Sequence, residues 1–123
     1  MLQPVSKLVT CWVYSVYLLF GNPTLAQSGV YQGCFADSPN RTMLTSTTNN
    51  DMTIIWCIQY CHERRYLYAG LQYRFQCFCG DDNYSRLGQR PESECGLTCS
   101  GNSEEICGGS WRNSVYTTGT LRL

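Results

Sequence analysis

The chain has 123 residues, with nine basic and nine acidic side chains and a formal charge of zero. Its nine cysteines are far more than a cytosolic protein of this size carries, which points to an oxidising compartment. Beyond residue 26 it has eight arginines, no lysine and nine acidic residues, a formal charge of −1, and no clustered basic face of the kind nucleic-acid binding needs.

Residues 1–26 have the parts of a secretory signal peptide. Lys7 is its one cation, Leu8–Phe20 (LVTCWVYSVYLLF) is an apolar run of 13 residues, and Gly21-Asn22-Pro23 breaks any helix before a small residue, Ala26, at the cleavage point. The run is shorter than the ~20 residues that span a bilayer, and no later stretch is apolar enough to span after cleavage. Removing the leader takes Cys11 with it and leaves an even set: Cys34, Cys57, Cys61, Cys77, Cys79, Cys95, Cys99 and Cys107. A domain this small buries a limited core, so disulfides are expected to supply much of its stability.

Val30–Phe35 reads as a first strand, and Ala36–Asp51 as a polar loop with a turn at Ser38-Pro39-Asn40. Thr53 is a candidate N-cap for a helix in which Ile54, Cys57, Ile58, Cys61 and the stem of Arg65 share one face. Trp56 stands where a capping box would have Glu or Gln. Tyr68–Tyr73 reads as a strand, Arg74–Gln76 as a turn and Cys77–Cys79 as the returning strand, closed by Gly80. Asp81–Glu94 is a charged loop, Ser103–Ile106 is expected to make one helical turn, and Arg112–Thr117 a last strand. One helix among such strands suggests a small α+β domain.

Cys57 and Cys61 lie one turn apart on one helix face, and Cys77 and Cys79 on one face of a strand. The separations, ~6 Å along a helix and ~6.5 Å along a strand, match well enough for two parallel bridges. Spacing alone leaves 105 pairings of eight cysteines open. Zinc is the rival use of such residues, but paired Cys-x-x-Cys knuckles are absent, and no metal or other cofactor is expected.

The blocks Gly33-Cys34-Phe35, Met52-Thr53, Cys57-x-x-x-Cys61, Tyr68–Tyr73 (YAGLQY), Cys77-Phe78-Cys79-Gly80, Cys95-x-x-x-Cys99-Ser100-Gly101-Asn102 and Ile106–Tyr116 (ICGGSWRNSVY) together resemble a WSC domain over residues 28–119, which leaves 120–123 as a tail. The resemblance implies a small disulfide-rich α+β fold similar to PAN/apple domains, with one main helix packed on a short antiparallel sheet. It also implies the pairing Cys34–Cys95, Cys57–Cys77, Cys61–Cys79 and Cys99–Cys107. The family occurs in fungal cell-wall stress sensors, fungal carbohydrate-active enzymes, Kremen receptors and polycystin-like ectodomains, and its usual assignment is carbohydrate binding. The stalk and membrane helix of the stress sensors do not follow here, so a secreted module, or an ectodomain fragment of a larger receptor, is expected. Trp56 departs from the family at a usually polar helix position.

Sugar rings stack on exposed aromatic faces with polar groups around them. The candidate rings are Trp56 and Tyr60, one helical turn apart, Phe75 at the tip of a turn, Tyr84 in the polar loop, and Trp111 after Gly108-Gly109, a ring read as packing first and as a ligand contact second. Tyr73 and Phe78 are assigned to the core, and Tyr66 and Tyr68 to its cover. Asn40-Arg41-Thr42 and Asn83-Tyr84-Ser85 are N-glycosylation sequons. Catalysis is not expected. His62 is the sole histidine, Cys61 beside it is expected to be oxidised, and carboxylate pairs such as Asp81-Asp82 and Glu104-Glu105 lack the deep cleft that glycoside hydrolysis needs. The expected partner is a polysaccharide or glycan; the alternative is an extracellular protein.

Overall fold

A computed structural model describes residues 28–122, so the leader and Cys11 lie outside the described residues. Among the described residues one α-helix and eight strands follow one another, with short 3-10 turns at Asp82–Ser85 and Glu92–Glu94: β1 (Ser28–Ala36), β2 (Thr45–Thr48), α1 (Ile54–Glu63), β3 (Tyr68–Gln72), β4 (Gln76–Gly80), β5 (Gln89–Arg90), β6 (Thr98–Cys99), β7 (Asn102–Ile106) and β8 (Arg112–Thr118). Six of the strands form one antiparallel sheet in the order β2-β4-β3-β8-β1-β5, while β6 and β7 form a separate hairpin.

α1 starts at Thr53, whose hydroxyl accepts the Trp56 N–H at 3.2 Å. The acid missing from a local capping box comes from far along the chain, since Glu105 on β7 accepts the Ile54 N–H at 3.2 Å. The helix ends at Glu63. Arg65 then takes a left-handed conformation (φ 64°), while its N–H and that of Tyr66 donate to the carbonyls of His62 and Cys61, a Schellman closure. Arg65 is therefore past the helix end and exposed, not on its buried face.

The sheet carries a core on each side. Towards α1, Met52, Cys57, Ile58, Cys61, Ala69, Leu71, Cys77, Cys79, Cys99 and Cys107 pack together. On the opposite side, Phe35, Met43, Phe78 and Val115 form a smaller cluster. The two-residue period of β3 and β8 sorts the rest, because Ala69 and Leu71 face the helix whereas Val115 lies with the second cluster.

Four disulfides staple these layers: Cys57–Cys77 and Cys61–Cys79 join α1 to β4, Cys34–Cys95 ties β1 to the segment after β5, and Cys99–Cys107 closes the β6–β7 hairpin. Two local expectations are corrected. Ser103–Ile106 is strand, paired with β6, not a helical turn. The polar loop 36–51 contains β2, whose Thr45–Thr48 run pairs with β4 along its whole length.

Candidate functional site

Two tight turns place the exposed rings that meet beside the second cluster. Between β3 and β4, Tyr73 and Arg74 are both left-handed (φ 51° and 74°), and the Arg74 N–H is held by the Cys107 carbonyl at 3.1 Å. Strand alternation would place Tyr73 with Leu71 in the core; the left-handed turn breaks it, and Tyr73 is 49% exposed. Before β8, Gly109 and Arg112 exchange two backbone hydrogen bonds across a turn in which Trp111 has φ 56°. A side chain on Gly109 would run into the Glu94 carbonyl, so the residue must be glycine. Trp111 is 43% exposed, a surface ring rather than packing.

Arg41 lies between these turns. Its guanidinium carbon is 4.6 Å from the Trp111 ring centroid and 4.8 Å from that of Phe78. Its Nη1 donates to Asp37 Oδ2 at 2.7 Å and, at 3.4 Å, to Gln72 Oε1. Asp37 also accepts from the Thr42 N–H (3.1 Å) and Gln72 Nε2 (3.0 Å), and Gln72 Nε2 donates onward to Asn113 Oδ1 at 3.0 Å. Burial alone would push the Asp37 carboxyl up; hydrogen bonds from Gln72, Arg41 and the N–H groups of Thr42 and Ser38 outweigh it and hold the group below the usual carboxylate range. Asn113 Nδ2 and Thr42 Oγ1, both buried, have no hydrogen-bond partner. Above this network opens a cleft of about 210 Å³ lined by Arg41, Gln72, Tyr73, Gln76, Ser110 and Trp111.

The other candidate rings are distributed differently. Phe75 is half-buried edge-on against Tyr73 (5.9 Å between centroids), at the margin of the cleft. Trp56 and Tyr60 are stacked (5.3 Å, 16°), both pack against the helix-side core, and the Arg64 guanidinium covers Tyr60 at 3.5 Å. The neighbours of Tyr60 thus take up its faces, and the pair is a helix-surface ladder rather than an open platform. Tyr84 is wedged between Phe35 (5.0 Å, edge-on) and Tyr68 (4.3 Å) and covers the second cluster. Asn40 and Asn83 are both exposed and lie on one side of the domain, since Arg86 donates from its side chain to the Asn40 carbonyl (2.7 Å) and from its backbone to that of Asn83 (3.0 Å). His62 Nδ1 is 3.1 Å from Thr120 Oγ1. The sulfurs of Cys57, Cys61 and Cys77 gather within 4.8 Å of one another, but each is in a disulfide and offers no thiolate to a metal.

Arg41, Tyr73, Gln72 and Gln76 are cleft residues that sequence reasoning missed. Arg41 is the middle residue of a sequon, which drew attention to Asn40 instead; the left-handed turn at Tyr73 has no glycine or asparagine to announce it.

A disulfide-stapled sheet with one helix defines a small cysteine-rich α+β domain. Residues 31–109 match the family model of the WSC domain, and the chain belongs to that family. It is 37% identical over 106 residues to xylosyltransferase oxt of Drosophila melanogaster, covering 84% of this chain and 12% of that protein. It is 44% identical over 98 residues to a WSC domain-containing protein of Arthroderma benhamiae (76% and 10%). With Kremen protein 1 of Xenopus laevis it shares 42% identity over 87 residues (68% and 19%). The chain therefore spans less than a fifth of the length of these curated relatives.

Proposed function

We propose that the chain is a secreted, non-catalytic carbohydrate-binding module and that the cleft under Trp111 and Tyr73 is its glycan site. The observation that carries this reading is the pairing of two half-exposed rings with a fixed polar floor. The rings offer faces for the C–H side of a pyranose, while Arg41, Gln76 and Ser110 offer polar groups for its hydroxyls and Gln72 holds the floor in place from below. Because Asp37 neutralises Arg41, the floor suits an uncharged sugar. Extracellular residence is favoured by four disulfides, which persist in oxidising compartments. No helix among the described residues is long and apolar enough to cross a membrane.

The test is a pull-down of the oxidised chain on insoluble cellulose, chitin, β-1,3-glucan and mannan. Binding to at least one is expected, weakened about tenfold by Trp111→Ala, equivalent to ~1.4 kcal/mol, and unchanged by Trp56→Ala. Retention of full binding by Trp111→Ala, or no binding to any of the four, overturns the assignment.

A further inference from the structure

A second aromatic cleft, on the helix side of the sheet, is separate from the one just described. It is an open cleft of about 490 Å³ between β1, β8 and the segment after β5, and Tyr31, Glu92, Ile106, Ser114 and Tyr116 line it. Ser114 and Tyr116 alternate with Asn113 and Val115 along β8, so this cleft and the Asn113 network lie on opposite faces of one strand. The Tyr31 and Tyr116 rings are 5.0 Å apart at 48°, and Tyr31 is 41% exposed although it sits in a strand. Exposed Ile106 adds an apolar wall.

The polar groups here have one sign. The Tyr31 hydroxyl donates to both oxygens of Glu92, at 2.7 and 3.0 Å, which fixes that carboxylate beside the rings. Burial raises the Tyr116 phenol pKa, and the carboxylates of Glu105 and Glu92 raise it further, so the field at that end is negative. Among the described residues neither Glu92 nor Glu105 has an ion-pair partner, whereas Glu94, two residues from Glu92, is paired with both Arg90 and Arg112. No arginine lines the cleft. This cleft has rings, a carboxylate and small hydroxyls, which is the complement of a planar cation.

We infer that the Tyr31–Tyr116 cleft is a second recognition site, which takes an arginine side chain of an extracellular protein partner: the guanidinium stacks on the tyrosine rings and pairs with Glu92. With the glycan cleft on the other face of the sheet, the module can hold a glycan and a protein together.

The probe is N-acetyl-argininamide, titrated into the ¹⁵N-labelled oxidised chain, with N-acetyl-citrullinamide as the uncharged isostere. Saturable shifts are expected at the amides of Tyr31, Ile106, Ser114 and Tyr116. The citrulline probe should bind at least fivefold more weakly, as should Glu92→Gln with the arginine probe. Tyr31→Leu, whose fold the same spectrum verifies, should also lose the shifts, while Trp111→Ala should keep them. Equal binding of the two probes, shifts spread over every exposed carboxylate, or no shifts at the cleft would each overturn the inference. So would displacement of the arginine probe by a neutral oligosaccharide, which would make the cleft a second sugar subsite. Glycan pull-down reads Trp111 alone, so either site can fail without the other.

Discussion

Asp37 organises the cleft beside Trp111 although it does not line it. Its side chain is 1% exposed, and it orients Arg41, which in turn stands between Trp111 and Phe78. Replacing it with alanine leaves a half-buried guanidinium without its counter-ion and Gln72 without an acceptor. Asp37→Ala is therefore expected to cost ~1.5–3 kcal/mol in urea unfolding, the range for hydrogen bonds to charged groups. The sign of the pH effect follows from the depressed carboxyl. A group whose folded pKa lies below its unfolded value of ~3.9 stabilises the fold fully above that value, and the contribution is lost as pH falls through the folded one. The stability gap between the wild type and Asp37→Asn should thus be constant from pH 7 to 5 and shrink below pH 4; a gap that persists at pH 2 would remove the charge from the explanation. None of this was legible in the sequence. Asp37 and Arg41 are merely four residues apart in a polar loop, and Gln72 and Asn113, which complete the network, are brought to them by pairing of β3 with β8.

At the scale of elements, the chain announced those that local chemistry decides and hid those that a partner decides. α1 was readable from Thr53 and from the spacing of Cys57, Ile58 and Cys61, and β3 and β4 from their apolar and cysteine alternation. β2 is a run of threonine and serine at the sheet edge that becomes strand because β4 offers it a ladder. β7 carries Glu104-Glu105, which read as helix-turn chemistry, yet Glu105 is spent capping α1 from outside. The termination of α1 is the least expected step, because the left-handed position that glycine usually fills is Arg65. A left-handed non-glycine residue costs ~1–2 kcal/mol, partly offset by the greater chain entropy that glycine loses. Arg65→Gly is accordingly expected to stabilise the domain by ~0.5–1 kcal/mol in thermal or urea unfolding. No change, or a loss, would mean that the arginine side chain makes compensating contacts. The opposite experiment is Gly108→Ala. Gly108 has φ 70°, and a methyl there would drive into the backbone carbonyls of Leu71 and Arg112, which have nowhere to move within their strands. It should cost more than ~3 kcal/mol.

For the molecule as a whole, the four disulfides differ in how much chain each closes. Cys34–Cys95 spans 61 residues and joins the first strand to the segment that precedes the β6–β7 hairpin; Cys99–Cys107 spans eight and lies within the hairpin. The two bridges between α1 and β4 span 20 and 18 residues and duplicate each other's constraint, since both fix the same helix on the same strand. In the loop-entropy description, a bridge stabilises by restricting the unfolded chain, so the long loop should contribute about 4 kcal/mol and the short one about 2.5 kcal/mol. The structural setting works in the same direction. Cys34 lies in β1, and its bridge adds a covalent tie to the β8 ladder, the two-residue pairing with β5 and the side-chain contacts of Tyr31 with Glu92 and Phe35 with Tyr84. Replacing both members of a pair by alanine, one pair at a time, should therefore lower the unfolding midpoint most for Cys34/Cys95 and least for Cys99/Cys107. Loss of one helix–strand bridge should fall between them, because the remaining bridge still holds α1 on β4. An equal loss for all pairs would show that native-state packing around the sulfurs, rather than restriction of the unfolded chain, sets their worth. The reverse order would show that the β6–β7 hairpin, which carries Glu105 to the start of α1, is the part of the fold least able to form without its bridge.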